Sequence, residues 1–166
     1  MIGAGLTPKQ LRFVGAVMAL FALLSDQAHK LWMLNVFHIE ARGRVEVTSF
    51  FELAMAWNKG VSYSMFEAQS ETGRWMLLAL ALVASCVLAL WLWHSHSLAA
   101  VSGLGLVIGG ALGNAYDRWA YGAVADFFHF HLGNFSWYIF NLADVWIVAG
   151  AGLLLYDGLM HKQPQA

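Results

Sequence analysis

Four long apolar runs set the frame of this chain, at about residues 13–34, 75–93, 98–116 and 140–160. Each is close to the roughly 20 residues that a helix needs to cross the hydrocarbon core of a bilayer. The first opens on the uninterrupted apolar block 13–24. The second is the cleanest, with Ser85 as its one polar side chain. Trp75, Trp91 and Trp93 stand at its ends, where aromatic side chains favour the membrane–water interface. Lys9 and Arg12 ahead of the first run give it the look of a cleavable leader. However, no small-x-small site follows, and the chain passes through Ser25-Asp26-Gln27 into more apolar sequence, so it reads as a retained helix.

Four spans put both termini on one side of the membrane and the two longer connections, 35–74 and 117–139, together on the other. His94-Ser95-His96-Ser97 is the short turn between the second and third spans. In the first connection, Val45-Glu46-Val47-Thr48 and Val61-Ser62-Tyr63-Ser64-Met65-Phe66 alternate β-branched or aromatic residues with others, and Gly60 precedes the second stretch. Short strands are expected there. The expected fold is a mainly α polytopic membrane protein, one membrane domain of four transmembrane helices with a small β-rich cap. In the third run, Gly105, Gly109 and Gly113 recur every four residues, a stripe that lets two helix backbones approach closely in lipid.

Composition supports the same picture. Of 166 residues, 60% are hydrophobic and 11% charged, against about 45–50% and 25% in ordinary soluble domains. A soluble chain of this size could not hide so much apolar surface. The net charge of −1 leaves no electrostatic footprint for nucleic acid. Cys86 is alone, which excludes an intrachain disulfide, and its apolar setting marks it as a packing or lipid-facing residue. Basic residues do not fix the orientation. Lys9, Arg12 and Lys162 lie on the terminal side, while Lys30, Arg42, Arg44, Lys59, Arg74 and Arg118 lie on or near the loop side. Taken alone, that count would put the loops in the cytoplasm, diluted by pairing to Glu40, Glu46 and Asp117.

The acids divide by type. All five glutamates fall in the first long connection, while Asp26, Asp117, Asp126, Asp144 and Asp157 lie in or beside the spans. A carboxylate in hydrocarbon costs roughly 2.5–3.5 kcal/mol on insertion scales, so it persists there when paired, hydrated or functional. Asp26 and Lys30 are one helical turn apart, which suits either an ion pair with Lys30 reaching up to the headgroups or a part in a site. Asp117 and Arg118 are adjacent and would not face each other on a helix, and Asp157 suits a solvated interface. Asp126 and Asp144 approach one interface from opposite ends of the last loop, with no local cation and with Asn114 and Asn141 at the adjoining helix ends. Two carboxyls in a low-dielectric pocket share a proton, so one can activate water while the other protonates a carbonyl. Aspartate pairs also occur in ion paths and structural ties, and spacing alone leaves these open.

Four blocks occur in order: Asp26-Gln27-Ala28-His29-Lys30; Asn58-Lys59-Gly60-Val61-Ser62-Tyr63-Ser64-Met65-Phe66; Gly109-Gly110-Ala111-Leu112-Gly113-Asn114-Ala115-Tyr116-Asp117-Arg118, running on to Gly122-Ala123-Val124-Ala125-Asp126-Phe127; and Phe140-Asn141-Leu142-Ala143-Asp144. On a four-span frame these blocks resemble the lipoprotein signal peptidases (signal peptidase II) over nearly the whole chain. The resemblance implies a membrane aspartic endopeptidase with Asp126 and Asp144 as its catalytic dyad. Asp26, Lys30, Asn58, Gly60, Asn114, Asp117, Arg118, Asn141 and Ala143, all within the blocks, would support the site or the substrate. It also implies a diacylglyceryl-modified prolipoprotein substrate cut before its lipidated cysteine, no metal or organic cofactor, and a monomer among membrane lipids. The setting would be the bacterial inner membrane, with cytoplasmic termini and the active site at the periplasmic face. Ser62-Tyr63 stands where the family more often has Ala-Phe, and His29 occupies a variable position.

Other membrane proteases fit less well. There is no His-Glu-x-x-His for zinc, no Gly-x-Ser-Gly for a rhomboid-type serine, and no Gly-x-Gly-Asp. His94 with His96, and His129 with His131, have no carboxylate or cysteine at ligand spacing. A proton- or ion-coupled transporter is the alternative from another class. Its sites would lie near the bilayer midplane on broken helices, often with internal repeats, whereas here the aspartates gather toward one face. A non-catalytic scaffold, with Asp and Asn tying helix ends, is the third reading.

Overall fold

The computed structural model describes residues 6–60, 71–133 and 135–160. Its elements run α1 Pro8–Asn35, α2 Ile39–Arg42, β1 Val45–Thr48, β2 Phe51–Asn58, α3 Glu71–His94, α4 Leu98–Ala120, β3 Val124–Leu132, β4 Phe135–Ser136 and α5 Leu142–Met160. The helices α1, α3, α4 and α5 are each long and apolar enough to cross a membrane. Together with a small antiparallel sheet they give the mainly α fold expected. α1 starts before its apolar run because Thr7 caps it. The Thr7 hydroxyl accepts from the Gln10 backbone N–H, and the Gln10 side chain accepts from the Thr7 N–H. α4 runs on past residue 116, so Asp117 and Arg118 are helical rather than part of a loop.

α4 is the central helix and packs against α1, α3 and α5. Two glycine faces make this possible, of which the sequence reading named one. On the α1 side, a Cβ at Gly109 would press on the Ala19 carbonyl oxygen and lie 2.7 Å from the Ala22 Cβ; Gly105 meets Gly15 and Met18 in the same way. On the α5 side, a Cβ at Gly103 would lie 2.7 Å from the Gly150 oxygen, and one at Gly110 would lie 2.5 Å from the Ala143 oxygen. Because backbone rather than a flexible side chain blocks the space, Gly109→Val will lower stability by about 3 kcal/mol or more. Thermal unfolding in detergent micelles measures this, and an unchanged midpoint would show that α1 and α4 can part freely. α3, by contrast, is largely uncovered, with Leu80, Val83, Cys86, Val87 and Leu90 exposed as lipid-facing residues are.

The cap is one sheet in the order β1-β2-β3-β4. Of the two strands expected in the first connection, Val45–Thr48 is present as β1, and the stretch 61–66 lies outside the described residues. β2 and β3 were not anticipated. They pair antiparallel, Asn58 opposite Val124, Ala56 opposite Asp126 and Glu52 opposite His129, so the sheet joins both long connections. Met33, Ile39, Ala125 and Phe127 form a core that fastens the end of α1 to this sheet. Gly122, at φ +78, lets the chain leave α4 in the left-handed region and turn directly into β3.

Candidate active site

Asp126 lies near the start of β3, and Asp144 lies in the first turn of α5. The turn is built by Asn141, whose side-chain oxygen accepts from the Asp144 N–H at 3.0 Å while Asp144 Oδ2 accepts from the Asn141 N–H at 3.2 Å. This reciprocal cap leaves the Asn141 amide nitrogen free to reach the other strand. Its Nδ2 donates to Asp126 Oδ1 at 2.6 Å and to Asn114 Oδ1 at 3.0 Å. Asn114, on α4, in turn donates from Nδ2 to Asp144 Oδ1 at 2.9 Å. The β2–β3 register brings Asn58 to the remaining oxygen, Asp126 Oδ2, at 3.1 Å. The two aspartates are thus brought to one place and fixed by three asparagines, on β2, on α4 and immediately before α5.

Both carboxyls line a cavity of about 280 Å³ together with Asn58, Gly60, Asn114, Arg118 and Tyr138. That is ample for a water molecule and part of a peptide. Gly60 is held at the rim by Asn58, whose side-chain oxygen accepts from the Gly60 N–H at 3.1 Å. Arg118 donates to the Asn114 carbonyl at 3.2 Å and, at 3.5 Å, to that of Gly60, while its Nε is buried without a partner among the described residues. A second, largely apolar hollow of about 410 Å³ shares Asp144, Tyr138 and Val148 with the first.

The two acids differ in setting. Asp126 is 2% exposed, whereas Asp144 is half-buried at the positive end of α5, which suits a carboxylate. Burial, and then the nearby Asp144 charge, push the Asp126 carboxyl up to about 7, against the hydrogen bonds from Asn58 and Asn141. An acid so placed keeps its proton to a higher pH than an ordinary carboxyl does.

Beneath the dyad sit Asp26, Lys30 and Asp117, all buried. Lys30 Nζ lies 2.8 Å from Asp26 Oδ2 and 2.8 Å from Asp117 Oδ2. Of the two readings of this pair, the ion pair with Asp26 is present, but Lys30 does not reach up to the headgroups: its partner on α4 draws it inward, and it is 1% exposed. Ala143 takes part through its backbone N–H, which donates to Asp26 Oδ1 at 2.9 Å.

Some partners escaped the sequence reading. Gln27, inside the first block, donates to Asp26 Oδ2, Asp117 Oδ1 and the Gly113 carbonyl. A lone amide in an apolar run was its signal. Arg44 pairs with Glu52 rather than with Glu46, and Glu52 Oε1 also holds His129 Nδ1 at 2.6 Å, while His129 Nε2 meets Ser136 Oγ at 2.7 Å. Only the strand register could have shown that. Asp157 accepts from the Ser97 hydroxyl at the start of α4 and is half-buried, so it is less solvated than expected.

Comparison with known proteins bears on this geometry. A family model described as signal peptidase (SPase) II matches residues 18–160. A lipoprotein signal peptidase of Beijerinckia indica is 51% identical, covering 92% of this chain and 91% of that protein. One of Methylocella silvestris is 53% identical over 92% and 89%. Two solved bacterial membrane enzymes share the fold, at TM-scores of 0.76 and 0.75 with 21% and 22% identity. They cover 92% and 90% of this chain and 93% and 94% of their own.

Proposed function

Because the chain belongs to the signal peptidase II family, we propose that Asp126 and Asp144 are the catalytic dyad of its peptidase reaction. The protein is a multi-pass bacterial membrane aspartic peptidase that removes signal peptides from prolipoproteins. The transporter reading finds no support, since the matching family and relatives are peptidases. What carries the dyad assignment is the asparagine network that turns both carboxyls into one cavity.

In the reaction, ionised Asp144 takes a proton from water as its oxygen attacks the carbonyl preceding the lipidated cysteine. Asp126 gives its proton to the carbonyl oxygen, forming a neutral tetrahedral diol. Asp144 then gives its proton to the cysteine nitrogen as the C–N bond breaks, and a hydroxyl of the diol returns its proton to Asp126, which releases the signal peptide with a new carboxyl terminus and resets both acids. Arg118 and Asn58, on the cavity wall, hold the substrate backbone. Gly60, Asn114, Asn141 and Ala143 keep the site in shape. The substrate meets the enzyme within the lipid, a monomer serves as the working unit, and the cap faces the periplasm with both termini in the cytoplasm.

Purified protein incubated with a lipidated precursor will release the signal peptide; failure to cleave it would remove the proposal. The rate will also depend on pH in a defined direction. Asp126 binds its proton more tightly than a free carboxyl, so the acid it supplies is present below about 7 and is lost as pH rises through that value. A kcat–pH profile checks this, and an alkaline limb that is absent when Asp126 is intact would contradict its role as the acid.

A further inference from the structure

The three buried charges under the dyad are connected to it in a way that simple helix packing does not require. Asp26 Oδ1 accepts from the backbone N–H of Ala143, the residue immediately before Asp144, at 2.9 Å. Asp117 Oδ2 accepts from the backbone N–H of Ala125, the residue immediately before Asp126, at 3.1 Å. Lys30 Nζ joins these two carboxylates at 2.8 Å each, and its third donor reaches Asn114 Oδ1 at 3.2 Å, the asparagine that also holds Asp144. From this we infer that Lys30, with Asp26 and Asp117, is a positioning device that fixes the separation of the catalytic carboxyls by gripping the peptide unit ahead of each.

The inference rests on the dyad reading given above. Physically, it answers a question the dyad raises. Asp126 sits on a strand of the cap and Asp144 on a membrane helix, joined by a loop, so no single rigid element carries both. A misplacement of about 1 Å at a reacting centre can lower a rate by about 100-fold. Gripping the backbone at both sites from one ammonium group on α1 makes the spacing a property of the α1–α4 contact, a seam closed by Gly105 and Gly109 against the α1 backbone. An apolar trio would fill the same volume without the desolvation penalty of buried charge. It would, however, leave the Ala125 and Ala143 N–H groups unpaired in a dry interior. Gln27 supports the device by bridging the same two carboxylates, at Asp26 Oδ2 and at Asp117 Oδ1.

The device acts on turnover, so its test separates kcat from KM. Lys30→Met is expected to lower kcat per folded enzyme by about 100-fold while KM for a lipidated precursor stays within about threefold. A paired series at 117 distinguishes backbone gripping from general support. Asp117→Asn keeps an oxygen for the Ala125 N–H and should lose less than about tenfold in kcat. Asp117→Leu has the same size and no acceptor, and should fall to about the level of Lys30→Met. Lys30→Met retaining kcat within threefold would overturn the inference, as would equal losses in the two 117 variants. Should Lys30→Met fail to fold, the 117 pair decides alone. Asp144→Asn serves as reference in the same assay. If Asp144→Asn still cleaves, the dyad reading fails; if it is inactive while Lys30→Met and Asp117→Leu turn over normally, only the positioning device fails.

Discussion

Asp144→Asn will remove cleavage of a lipidated precursor, lowering kcat by about 10⁴-fold, and Asp126→Asn will do the same. The amide is the same size as the acid and keeps much of the local bonding. At 144 its oxygen can still accept from Asn114 Nδ2, now 2.9 Å from Asp144 Oδ1. What is lost is one side of the cap on α5, where Asp144 Oδ2 accepts from the Asn141 N–H, worth about 1 kcal/mol. At 126 both oxygens accept from amide donors, Asn141 and Asn58, so an amide nitrogen there must face one of them. Each variant should therefore fold, unfold slightly earlier and still bind substrate, yet be unable to pass a proton. Turnover, thermal midpoint and binding of the uncleaved precursor, measured together, test this. A variant that folds and cleaves at the normal rate would end the mechanism, and one that fails to fold would favour the scaffold reading.

The second large effect is expected on the substrate side. A precursor without its diacylglyceryl group will be cleaved with kcat/KM lower by about 10² to 10³. Buried acyl chains contribute about 0.8 kcal/mol per methylene to membrane affinity, so the lipid pins the cleavage point at one depth. Asp126 and Asp144 lie where a cap strand and the first turn of α5 meet. The apolar hollow lined by Trp137, Phe140, Val145 and Val148 opens beside Asp144 and can take hydrocarbon while the peptide occupies the polar cavity. Matched lipidated and unlipidated precursors, assayed in the same bilayer, give the ratio. Equal values would show that recognition rests on the peptide alone.

Much of this protein was written in local sequence. A run of apolar residues long enough to cross a bilayer specifies a span whatever its neighbours do, because backbone groups in lipid must be satisfied within the helix. The four apolar runs, the Gly105, Gly109 and Gly113 stripe, and the isolation of Asp126 and Asp144 from any local cation could be read directly, and the ordered blocks added the family. Tertiary structure decided what depends on contacts between distant segments. The β2–β3 register sets Asn58 on Asp126, the second glycine face of α4 seats α5, and Lys30 turns inward only because Asp117 waits on another helix. Strand register and the partner of a buried charge are fixed by packing across many residues of chain, and no run of neighbouring residues carries that information.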